Sequence, residues 1–263
     1  MQNFKKWIEN FWYHYKWQTI LVVFFLTFII IAVTQMATKD KIDVNVFYTG
    51  PYVFSPREIG QVEEAYEALM TYDYNGDGEK GAEFTNIVLL TNDQVSKIRE
   101  DSKSGANSPD VVDDIVIDAN AIREAENVFN QQIFAGQVLV CMMDPYWYNE
   151  VKNAGGWCKL SDILGYKPEF ACDDYSVLLK DMKFAQYFKV FARLPEDTRL
   201  ALRTISTVSS FTQKEKEQER WGWNAEMMRD LFLFEFPEGY DPEALEYDPE
   251  AGTASVPEAA PAG

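Results

Sequence analysis

The longest apolar pattern in the chain comes near its start. No charged residue stands between Lys16 and Lys39, and twelve of the eighteen residues from Ile20 to Ala37 are Leu, Ile, Val or Phe. A helix over this uncharged stretch would span about 33 Å at 1.5 Å per residue, against roughly 30 Å of bilayer hydrocarbon. At about −0.4 kcal/mol apiece, the twelve apolar residues favour insertion by roughly 5 kcal/mol. The pattern predicts a leader over residues 1–18 and a transmembrane helix over 19–38.

The flanks give that helix a direction. Lys5, Lys6 and Lys16 precede it, opposed only by Glu9, whereas Asp40 and Asp43 interleave with Lys39 and Lys41 behind it. Basic residues favour the cytoplasmic side, so the N-terminus is expected inside and the rest of the chain outside. The leader before the apolar core is long, no A-x-A site follows it, and no lipobox cysteine is present, so an uncleaved signal anchor is expected. Trp7, Phe11, Trp12, Tyr13, Tyr15 and Trp17 crowd the approach. They read as an interfacial aromatic belt to which His14 belongs.

Beyond residue 38 the pattern changes to alternating strands and helices. Ile42–Tyr48 alternates apolar with polar residues and predicts a strand, followed by a Gly50-Pro51 turn. Ser55-Pro56-Arg57-Glu58 is a capping box with proline at the first helical position, opening a helix to about Tyr72. Phe84–Thr91 predicts the next strand, residues 92–103 a short exposed helix, and 104–109 a loop. Ala119–Ala135 carries Ile122, Ala125, Phe129 and Ile133 on one helical face. Val138–Met143 is wholly apolar, as in a strand covered on both sides. Asp144-Pro145 then caps a helix through Lys152, with a turn at Gly155-Gly156. Ser176–Lys180 and Leu200–Ile205 read as strands. Thr212–Phe234 reads as a helix with its own capping box, Thr212 with Glu215. The fold class is therefore α/β: a transmembrane helix followed by a layered domain over 39–236 with a mixed, partly parallel sheet. The tail, 237–263, is rich in Pro, Glu, Ala and Gly and is expected to be disordered.

Composition narrows the chemistry. The formal net charge is −18, from 24 basic and 42 acidic residues, which repels phosphate backbones and excludes nucleic acid as a partner class. His14 is the single histidine, so the outer domain lacks Ser-His-Asp and Cys-His arrangements and the usual zinc ligand sets. Carboxylate-only mechanisms survive, but no pair stands out, and a non-catalytic protein is expected. Of the three cysteines, Cys141 sits in an apolar run and reads as a small buried hydrophobe. Cys158 and Cys172 flank a loop-rich stretch and could pair outside the cell, or all three could stay free thiols.

One motif carries chemistry of its own. Asp73-Tyr74-Asn75-Gly76-Asp77-Gly78 matches the first half of an EF-hand loop, in which alternate side chains converge oxygens on Ca2+ and the sixth-position glycine allows the sharp turn. The twelfth position is Phe84, with Glu83 one place early, and a strand follows where a helix should. Asp73, Asn75 and Asp77 with Glu79 or Glu83 would make a looser calcium site. An Asx-Gly turn needing no metal explains the same residues.

In open α/β sheets ligands bind beyond the carboxyl ends of strands. Two strand ends present Thr49, Gly50 and Tyr52, and then Asp144, Tyr146 and Trp147. Thr49, Tyr52, Asp144 and Tyr146 are the candidate ligand-binding residues, since aromatic faces beside one carboxylate suit a sugar, an amine or a peptide. The alternative is that Asp144 is a helix cap and the aromatics pack a core.

The leader Tyr13-His14-Tyr15-Lys16-Trp17 running into the anchor resembles uncharacterised membrane-anchored extracellular proteins of Gram-positive bacteria. The helix, then residues 73–78, then a strand is similar to a segment of type 2 extracellular solute-binding proteins, as is Ala135-Gly136-Gln137-Val138-Leu139-Val140 followed by Asp144-Pro145. The resemblance implies a solute-binding lobe whose last-named strand leads towards a ligand cleft. It also has a gap, since those proteins have two lobes and this outer domain has room for little more than one. Two functions are therefore expected side by side. One is a single-pass cell-membrane protein whose extracellular domain binds or senses an unknown solute. The other is an ectodomain of the same placement that works through protein contacts without a small-molecule ligand.

Overall fold

Strand β1 (Val44–Gly50) forms because its apolar residues alternate between two covered faces, Val46 and Tyr48 on one and Phe47 on the other, all essentially unexposed. It pairs in parallel with β2 (Ala82–Val88) on one side and with β3 (Val140–Met143) on the other. Strand β5 (Arg199–Leu202) lies antiparallel to β3, and β4 (Ser176–Leu178) antiparallel to β5. The sheet order is β2-β1-β3-β5-β4. The computed structural model describes residues 2–38, 42–104, 119–135, 138–205 and 214–240. The chain divides into two units at Lys41 and Ile42.

The first unit is helix α1 (Gln2–Thr38). Every side chain from Ile20 to Ile31 is exposed, and all but Thr27 are apolar. Thr19 and Thr27 turn their hydroxyls back to the carbonyls of Tyr15 and Val23, 2.9 and 2.8 Å away, which satisfies those polar groups within the helix. Among the described residues no helix is long and apolar enough to cross a membrane. The expected span continues past Ile31, where the side chains lie outside the described residues.

The second unit is a three-layer sandwich. Helix α2 (Pro56–Leu69) follows β1 and packs on one face with α6 (Leu160–Leu164), α7 (Lys183–Tyr187) and α8 (Lys214–Leu233). Val62 and Tyr66 of α2 and Met227, Met228 and Leu231 of α8 meet Val46, Tyr48 and Met142 of the sheet there. Helix α3 (Asn92–Ser104) leads towards α4 (Ala119–Ala135), which covers the other face together with α5 (Pro145–Asn153). Phe129 and Ile133 of α4 and Tyr148 and Val151 of α5 close over Phe47, Cys141 and Met143. Strand β2 is one edge of the sheet, and two of its outward amides are covered by the neighbouring helix. Ala82 and Phe84 donate to the carboxylates of Glu67 and Glu63 on α2, at 3.2 and 3.1 Å.

Several boundaries differ from the expected ones, each for a local reason. Strand β1 starts at Val44, not Ile42, because Asp43 is fully buried and its carboxylate accepts from the amides of Asn75 and Gly81. Helix α2 stops at Leu69 because Met70 turns extended and the Thr71 amide and hydroxyl donate to Asp230 of α8. Strand β2 begins two residues before Phe84 and ends at Val88, while Leu89 and Leu90 stay buried outside it. Residues 179–193 fold into α7 flanked by short 3-10 turns, at Leu179–Asp181 and Lys189–Arg193, that were not expected. The packing also runs past 236: Tyr240 stacks on Phe236 and meets Tyr187, with ring centroids 5.1 and 4.9 Å apart. The expected tail from 241 onward, the loop beyond Ser104 and the Thr212 cap lie outside the described residues.

Cys158 and Cys172 do not pair, and all three cysteines are free thiols. Trp157 packs into the core under α4 and α5, so Cys158, the next residue, packs with the opposite core. Ala171 packs with that same core, which turns Cys172 towards Arg199 and Asp173 on the other side of the sheet. A disulfide needs Cα atoms about 4.4–6.8 Å apart with facing Cβ vectors.

Asp173 ties α5, β4 and β5 together. Its carboxylate accepts from the Tyr148 hydroxyl at 2.8 Å, from Lys152 at 2.7 Å and from the amides of Tyr175 and Ser176 at 2.9 Å. The Arg199 guanidinium lies 3.5 Å away and stacks over the Tyr148 ring. Burial opposes its charge, but the Lys152 ammonium and these hydrogen bonds outweigh it and hold the carboxyl well below the usual range. A depressed pKa contributes stability above the unfolded value, about 3.9, that is lost as the pH falls through the folded one. Asp173→Asn should therefore lose about 2–4 kcal/mol in urea unfolding at pH 7. The gap to wild type should narrow as the pH is taken below about 3.9.

Candidate functional site at the carboxyl ends of the parallel strands

The order of the parallel strands dictates where a crevice opens. From β1 the chain crosses through α2 to β2 on one side, and from β2 it crosses back through α3 and α4 to β3 on the other. Right-handed crossovers in opposite directions put their helices on opposite faces, which leaves a switch point between β1 and β3 at their carboxyl ends. The amide of Asp144, just past β3, donates to the Thr49 carbonyl at 2.9 Å, so the two strand ends lie side by side.

The four candidate ligand residues do not share one opening. Thr49 is fully buried and donates its hydroxyl to the Ile87 carbonyl of β2 at 3.1 Å, on the face of Phe47. Tyr52 packs with the opposite core and donates its hydroxyl to Glu58 at 2.6 Å. Burial and that carboxylate push its phenol up to about 12. Glu58 in turn closes the Ser55 capping box and pairs with Arg193 at 3.1 Å. Asp144 and Tyr146 do stand together, since the Tyr146 amide donates to the Asp144 carboxylate at 2.8 Å and caps α5. The Tyr146 ring is half exposed and lies edge-on to Trp147.

The floor of the crevice is occupied by the protein's own groups. The Tyr48 hydroxyl accepts from the Tyr52 amide at 3.2 Å and lies over Gly50, where an added Cβ would come within 2.5 Å of it. Only glycine at position 50 leaves room for that hydroxyl. Gln94 fills the other side. Its side chain accepts from the Thr91 amide at 2.8 Å in a reciprocal cap of α3 and donates to the Asp144 carboxylate at 3.1 Å. The Thr-x-x-Gln spacing that makes this cap is visible in the sequence, but its reach to Asp144, fifty residues on, is not.

At the opposite end of β1, the 73–83 loop is organised by its own amides. Asp73 accepts from Gly76 and Gly78 at 2.8 and 2.6 Å, Asn75 from Asp77 at 2.8 Å, and Asp77 from Glu79 at 2.9 Å. Gly76 and Gly78 take the left-handed φ that such a turn requires. Glu83 points away from the loop, accepting from the Asn45 side chain at 2.9 Å. Among the described residues no three Asp, Glu, Cys or His side chains gather closely enough to hold a metal ion. Asp43, which the sequence marks only as a charge flanking the apolar run, holds the loop through the amides of Asn75 and Gly81, at 2.8 and 2.9 Å. Burial, and then the charges of Asp73 and Asp77, raise its pKa against the pull of those amides.

Asp144 is likewise raised, first by burial and then by the Asp197 charge, with the Tyr146 and Gln94 hydrogen bonds opposing. A raised carboxyl contributes stability that is fully present below the unfolded pKa and lost as the pH rises through the folded one. Asparagine keeps the helix-cap acceptor without the charge. Asp144→Asn should thus unfold within about 1 kcal/mol of wild type at pH 7. Wild type should gain on the variant as the pH falls towards about 3.9, and urea titrations across pH 3–7 would measure both effects. No protein-family model matches this chain, and no curated protein or solved structure matches it significantly.

Proposed function

We propose that the chain is a single-pass membrane protein whose extracytoplasmic α/β domain is non-catalytic and acts through protein contacts. The observation that carries this reading is the self-satisfied crevice. Thr49, Tyr52 and Asp144 direct their polar atoms to Ile87, Glu58, Gln94 and Tyr146 of the same domain. A solute site of the kind the resemblance implies needs several polar groups converging on open space. The anchor rests on the uncharged run after Lys16 and on the exposed apolar side chains of α1. The absence of catalysis rests on composition, since the domain has no histidine.

A solute-binding module is the second reading. Asp144 and the half-exposed Tyr146 ring do lie together at the switch point between β1 and β3. Thermal unfolding of the full chain in detergent, with sugars, amino acids, polyamines and short peptides added one class at a time, separates the two. The contact reading expects no shift from any of them. A rise of several degrees that is lost in Asp144→Ala would overturn it in favour of the solute reading.

The anchor has its own test. The chain should stay in the membrane pellet through alkaline carbonate extraction. Ile29→Lys with Ile30→Lys, at about 2.5–3.5 kcal/mol each near the helix centre, should release it. The loop would bind calcium through Asp73, Asn75 and Asp77, a reading supported by oxygens at alternate loop positions with glycine between them. Millimolar calcium after EDTA should raise the unfolding temperature by several degrees, and Asp77→Ala should abolish the rise. An unchanged temperature would reduce the loop to a turn.

A further inference from the structure

We draw no further inference here: the strongest candidate, the apolar surface patch at the C-terminal end of α8, where exposed Phe170 stacks on half-buried Phe232 beside exposed Leu233, carries nothing because no feature of the structure shows what covers it.

Discussion

Parallel pairing of β1 on both of its edges is the constraint from which the rest of the domain follows. Two parallel neighbours cannot be joined by hairpins, so each connection must leave the sheet and return through a helix. The two crossovers run in opposite directions, and their common hand sends α2 to one face and α4 to the other. Strands covered on both faces must then be apolar on both faces, which is why Val44–Tyr48 and Val140–Met143 are buried almost without interruption. The antiparallel pair β5 and β4 adds width, and α6, α7 and α8 complete the layer that α2 begins.

Buried polar groups then fix how the layers join. Asp43 ties the 73–83 loop to the start of β1, Asp173 joins α5 to β4 and β5, and Asp144 links α3 to α5 across the crevice. Each carboxylate is placed where backbone amides or cationic side chains meet it, because an unpaired buried charge would be costly. Arg203 does the same for a helix end. It is almost fully buried, and its guanidinium donates to the Ile133 carbonyl in the last turn of α4, which has no partner within the helix. Among the described residues its Nε has no hydrogen-bond partner. Of these groups only Asp144 lies at the carboxyl ends of β1 and β3, and its carboxylate is taken up by Gln94 and the Tyr146 amide.

Much of the fold was legible in the sequence. The Ser55 capping box, the apolar faces of α2 and α4 and the wholly apolar β3 are local patterns, and local patterns survive folding when tertiary packing agrees with them. The stretch from 179 to 193 was not legible, because its helical pieces are too short to show a period and are held by burial of Leu179, Phe184 and Phe191 against α2 and α8. The candidate site was legible only in part. Asp144 could be seen as a helix cap and as a strand-end carboxylate, and it is both positions at once. Gln94, Tyr48 and Asp43 were missed because each acts on a residue distant in sequence or on a glycine's empty face.

The sequence by itself determined what depends on period and composition: an uncharged apolar run near the N-terminus, an α/β alternation, a strongly acidic surface and the absence of histidine chemistry from the domain. Tertiary structure alone decided the questions of facing. Trp157 and Ala171, which bridge to the sheet, pack on opposite cores, so the cysteines that follow them face opposite ways, and no spacing rule reveals that before the sheet is placed. The turn after β1 separates Thr49 from Tyr52, although they are three residues apart, and the placement of α3 beside the end of β3 brings Gln94 to Asp144 across fifty. Whether polar groups meet one another or an open space depends on those placements, because hydrogen bonds form between neighbours in space and not between neighbours in sequence.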